Sequence, residues 1–109
     1  MMSIFEWEAS DSFDPATIVQ QCIESGSNAL LLDENAIPPH FFDLSSRVAG
    51  DLVHRVTLYE IPMALVVSKP SIHSAHFQDF AREANQGNRF RFFPTRPEAV
   101  AWLQMQVER

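Results

Sequence analysis

Basic charge, glycine and cysteine are all scarce in this chain, and each scarcity weighs against a class of function. Eight lysines and arginines stand against fourteen aspartates and glutamates, a net charge of −6. That balance argues against an overall electrostatic grip on nucleic acid or on an anionic membrane. The single cysteine, Cys22, cannot close an internal disulfide, so nothing in the residues asks for an oxidising compartment. Three glycines supply no glycine-rich phosphate loop, and no nucleophile elbow or paired zinc motif is present. No apolar run approaches the roughly 20 residues of a membrane span, and Met1 to Trp7 lacks the basic-then-apolar order of a signal sequence. The expectation is a small, acidic, cytoplasmic protein.

What is present suffices for one domain, taken here as 1–109, with 46% hydrophobic residues to build its core. Short apolar runs alternate with amphipathic segments. Ile4, Phe5 and Trp7 alternate with Glu6 and Glu8, which predicts a half-exposed strand. Asp14-Pro15 opens a helix, with Asp14 accepting amide hydrogen bonds as N-cap and Ile18, Val19, Cys22 and Ile23 facing inward until Gly26. Ala29 to Leu32 is a buried strand, and Ile37-Pro38-Pro39-His40 a turn. From Phe41 to Tyr59 one stripe (Phe41, Leu44, Val48, Leu52, Val56, Tyr59) predicts a continuous helix. Gly50 inside it is read as a close helix–sheet contact. Met63 to Val67 is a second apolar strand. Ser74 caps a helix that buries Phe77, Phe80, Ala81 and Ala84 and closes at Asn85-Gln86-Gly87. Arg89 to Phe93 is a strand with its arginines toward water, and Thr95 to Glu98 a capping box for a last helix with Val100, Trp102, Leu103 and Val107.

This order implies an α/β fold: four to five strands in a mixed, mostly parallel sheet with about four helices. In such sheets ligands and partners meet the carboxyl ends of the strands. Lys69, His73, Ser74, Thr95 and Arg96 gather there as candidate ligand-binding residues. Asp43, Ser45, Ser46 and Arg47, before the long helix, are candidate partner or switch residues. Capping alone also accounts for Ser45, Ser46, Ser74 and Thr95. His73-x-x-His76 has a spacing that could place two ligands on one helical turn, and Asp79 follows three residues on, but no supported set of ligands with a second shell is visible, so no metal, cofactor or catalytic set is assigned. Residues 1–60 hold ten acids and two arginines, a balance of −8, whereas 61–109 hold six bases and four acids, +2. Arg82, Arg89, Arg91 and Arg96 make the second half locally positive, a dipole suited to a protein partner or to self-association.

Phe42-Asp43-Leu44, Ala49-Gly50-x-Leu52, Tyr59 and Phe80-x-x-Glu83-x-Asn85-x-Gly87-Asn88 resemble the bacterial domain-of-unknown-function (DUF) family 4180. The resemblance runs from the first helix to Trp102, and implies a fold without an activity. More distantly, the layout is similar to STAS domains, the anti-sigma factor antagonist fold. In those domains phosphorylation of a serine at the start of a helix switches binding to a kinase. Asp43-Leu44-Ser45-Ser46 stands at the equivalent place, although the Asp-Ser-Ser-Gly order is absent and Arg47 replaces a small residue. Three functions follow as expectations. One is a non-enzymatic regulatory module that binds a protein through Asp43–Ser46. The second is a small-molecule or anion sensor at the strand ends. The third is a metal-assisted enzyme around His73, His76 and Asp79, which the ligand count disfavours.

Overall fold

Each strand is a stretch of four or five mostly apolar residues, too short to stand without a neighbour. The computed structural model describes residues 4–7, 13–69, 74–87 and 89–107. Strands β1 (Ile4–Trp7), β2 (Ala29–Asp33), β3 (Met63–Val66) and β4 (Phe90–Phe93) lie side by side in chain order. All are parallel, with Ile4 opposite Ala29, Leu30 opposite Met63 and Met63 opposite Phe90. The expected α/β fold with four helices is found, and the sheet, expected to be mixed and mostly parallel, is parallel throughout its four strands among the described residues. The cause is local: every connection, the first included, carries a helix that returns the chain to its starting edge.

Helices α1 (Pro15–Glu24), α2 (Val48–Leu58) and α3 (Ala75–Ala84) make those connections, and α4 (Arg96–Val107) follows β4. With neighbours in chain order, right-handed crossovers place α1, α2 and α3 on one face and leave the other to α4. The side chains divide accordingly. Leu30, Leu32, Met63, Leu65, Val67 and Phe92 pack under the three helices. Ala29, Leu31, Ala64 and Val66 meet Ala99, Trp102 and Leu103 of α4. Alanines on both sides of this second contact let the helix lie close to the sheet, and Ala29, Ala64 and Ala99 are fully buried.

Both ends of α1 follow from sequence. Pro15 occupies the first turn, and Gly26 at φ +76° closes a Schellman motif in which the Ser27 amide reaches the Cys22 carbonyl at 3.3 Å. Three details of the expectation are corrected. The Asp14 carboxylate takes the Thr17 hydroxyl at 2.7 Å rather than capping amides. Ile23 is 46% exposed, one step off the buried face formed by Ile18, Val19 and Cys22. Arg91, expected to face water, is half-buried: it donates to the Gly87 carbonyl at 2.7 Å and lies over the Trp102 ring at 5.8 Å.

The largest correction concerns Phe41 to Tyr59. Two short 3-10 turns, Pro39–Phe42 and Leu44–Ser46, precede α2, and Arg47 at φ 66° separates them from it. The apolar spacing of three survives in the 3-10 turns, which is why one helical stripe seemed to run through. At the other end Tyr59 is 55% exposed, and Glu60 at φ 56° closes a second Schellman motif through the Ile61 amide and the Val56 carbonyl. Gly50 makes no close helix–sheet contact. It is exposed, and a Cβ there would meet no atom within 4 Å.

β4 is an edge strand, and its outer side is blunted. The Met63 and Val67 amides bond inward to Arg89 and Phe93 carbonyls, so the Phe92 amide points outward. There the Asn85 side chain accepts it at 2.8 Å, and Pro94 removes the next outward donor. No helix of the described residues is long and apolar enough to cross a membrane.

Candidate functional site

A parallel sheet brings the carboxyl ends of its strands and the starts of its helices to one edge. Here much of that edge is bonded to itself. Asp33 accepts the Asn35 amide at 3.0 Å, and Glu34 takes both the Ser68 hydroxyl at 2.7 Å and its amide at 3.3 Å. Arg96 pairs with Glu6 at 2.6 Å, and this hydrogen bond holds its guanidinium proton more firmly than usual. Ser74 caps α3 as expected, accepting the Phe77 amide at 3.1 Å. The Thr95 carbonyl accepts the Ala99 amide at 3.3 Å at the start of α4. Lys69 is exposed and has no polar partner among the described residues. His73, Pro70, Ser71 and Asn88 lie outside those residues, as do the side chains of Leu44 and Val107. Of the five ligand candidates, Ser74 is used as a helix cap, Arg96 is paired with Glu6, Lys69 and Thr95 are exposed, and His73 is not among the described residues.

Asp43, Ser45, Ser46 and Arg47 do form one contiguous surface. Phe41 and Phe42 hold it from below, Phe41 edge-on to Phe13 at 5.8 Å and Phe42 edge-on to Phe77 at 5.0 Å. Above them the Asp43 carboxylate accepts the Ser45 amide at 3.0 Å and its hydroxyl at 2.6 Å. These bonds, the hydroxyl first, hold the Asp43 carboxyl below the usual aspartate range. Ser46 donates its hydroxyl to the His40 carbonyl at 2.7 Å and accepts the Val48 amide at 3.4 Å. Both serines and Arg47 are exposed. Arg47, Gly50, Asp51 and Phe80 line an open groove of about 420 Å³.

A larger cleft, about 610 Å³, opens beyond β3 and β4 beside α3. Lys69, Arg82, Asn85, Phe92, Phe93 and Pro94 are on its wall. Only Lys69 among these was legible as a site residue. Arg82 and Asn85 sit on a helix whose sequence shows a salt-bridge pair and a C-terminal stop, and nothing in the spacing says that β4 will pass beside them.

The nucleophile and metal candidates are placed as follows. Cys22 is buried, 3.7 Å from the Ala29 carbonyl, and burial pushes its thiol up to about 11, which makes it a small core residue rather than a nucleophile. His76 and Asp79 are exposed on α3, with Asp79 paired to Arg82 at 2.9 Å. Among the described residues no three His, Cys, Asp or Glu side chains converge on a metal-sized site.

Compared with known proteins, the model of a family described as a domain of unknown function, DUF4180, matches residues 7–103. No curated protein and no solved structure matches the chain. The more distant similarity to STAS domains gains no support from these comparisons.

Proposed function

The chain belongs to the DUF4180 family, and from that premise we propose that it is a non-enzymatic regulatory module that binds a protein through Asp43–Arg47. One observation supports this most: an exposed segment is held in a single shape by two serine hydroxyls, one on Asp43 and one on the His40 carbonyl. A phosphoryl group on either oxygen, or a partner that takes either donor, removes one bond of the lock. The two serines then diverge. Phosphate on Ser45 stands against the Asp43 carboxylate and opens the turn by repulsion. Phosphate on Ser46 lies beside the Val48 amide at the α2 start and next to Arg47, which has no ion pair among the described residues, so its charge is favourable there.

Phosphopeptide mapping of the chain from its native host tests the switch. Quantitative capture with Ser45→Asp and Ser46→Asp tests the surface, with a bound protein expected whose recovery changes in at least one variant. A partner recovered equally by both variants and by the unaltered chain sinks the switch.

A further inference from the structure

We propose that the cleft between α3 and the end of β4 is a binding site for a small amphipathic anion, a carboxylate or phosphate monoester carried on an apolar body. Its floor and its rim have different chemistry. Phe92 and Phe93 of β4, with Pro94, give an apolar wall that polar solutes do not recognise. The rim is made of donors. Among the described residues Lys69 meets no carboxylate, and Arg82 spends one guanidinium nitrogen on Asp79 with no partner there for its other donors. Asn85 adds a donor whose orientation is fixed. Its Oδ1 must accept the Phe92 amide, so its NH2 is turned away from the strand and has no partner among the described residues.

Lys69 follows β3, Arg82 lies on α3 and Asn85 caps the end of that helix, so residues distant in sequence share one cleft with the end of β4. Among the described residues no carboxylate is on the wall, and two acids of the neighbouring elements are already bonded, Asp79 to Arg82 and Glu34 to Ser68. A volume of about 610 Å³ accommodates a ligand of metabolite size. An anion alone fits poorly, since exposed cations hold an isolated ion weakly, and a neutral apolar molecule leaves the donors unused. An anionic head with an apolar tail uses both. This site is separate from the Asp43–Arg47 surface and does not depend on it.

Amide-resolved NMR titration with octanoate, octyl phosphate, 1-octanol and inorganic phosphate tests the assignment. The two octyl anions are expected to saturate at millimolar concentration or below and to shift Ser68, Lys69, Arg82, Asn85 and Phe93 together. Comparing them shows which head is preferred. Lys69→Ala with Arg82→Ala should weaken both by about tenfold and leave 1-octanol unchanged. Asn85→Asp keeps the acceptor for the Phe92 amide but replaces the NH2 with a negative charge, so it should fold normally and lose the anions. Three results would overturn the proposal: 1-octanol binding as tightly as octanoate, inorganic phosphate binding as tightly as octyl phosphate, or shifts confined to residues away from the cleft. So would an Asn85→Asp variant with native spectra and undiminished affinity.

Discussion

At Asp43 a single carboxylate oxygen accepts both the amide and the hydroxyl of Ser45, and this is the smallest unit on which the proposed function depends. Two bonds to the ionised form favour it, so its folded pKa lies below the ordinary value of 3.8. The sign follows: the turn's contribution is complete above the ordinary aspartate range and fades as pH falls through the lowered folded value. An NMR titration of the Asp43 carboxyl should give a midpoint below 3.8, and Ser45→Ala should move it upward. An unchanged midpoint in Ser45→Ala would show that the hydroxyl does not hold the carboxylate. Cys22 shifts in the other direction for a different reason. Burial disfavours its thiolate, so it stays neutral to about pH 11, and native protein should react with a thiol reagent only as fast as it opens.

Elements show where sequence reading succeeds and where it stops. The four strands, α1, α3 and the caps at Ser74 and Gly26 were legible because each has a local cause: an apolar run, a proline, a hydroxyl or a glycine at the right place. The break before α2 was not. Phe41 and Leu44 keep the spacing of a helix in the 3-10 turns, and only the left-handed Arg47 ends the run. Asp43 and Ser45, two apart, were the available signal, since this is the residue pattern of an Asx turn. Gly50 was misread because a glycine in a helix suggests close packing, whereas here its open side faces the groove beside Phe80.

Gly50→Ala should therefore stabilise the chain by about 0.5–1 kcal/mol in denaturant unfolding. A loss of stability would mean that something does pack there. Asn85→Ala leaves the Phe92 amide without its acceptor and should cost about 1–3 kcal/mol, with Asn85→Asp close to the unaltered chain. Sequence could not announce this role. A helix-ending asparagine explains itself as a stop signal, and its acceptor duty exists only once β4 lies alongside.

At the scale of the whole molecule, one sheet separates two unequal apolar layers, with Trp7 in the three-helix layer and Trp102, on α4, in the other. They should unfold as one. Single-tryptophan variants, Trp7→Phe and Trp102→Phe, are expected to report the same midpoint, and separated midpoints would show α4 leaving the sheet first. Charge also acts at this scale. The acidic first half and the basic second half are joined where Arg96 meets Glu6, which turns one of the expected ligand cations into an internal tie. What stays outward is the Asp43–Arg47 surface, and binding there is the central claim. Its most direct test is quantitative affinity capture from the native host with the unaltered chain, Ser45→Asp, Ser46→Asp and Arg47→Ala in parallel. The prediction is a protein enriched by the unaltered chain, lost with Arg47→Ala and altered by at least one of the serine exchanges. A set of bound proteins identical across all four baits would contradict it.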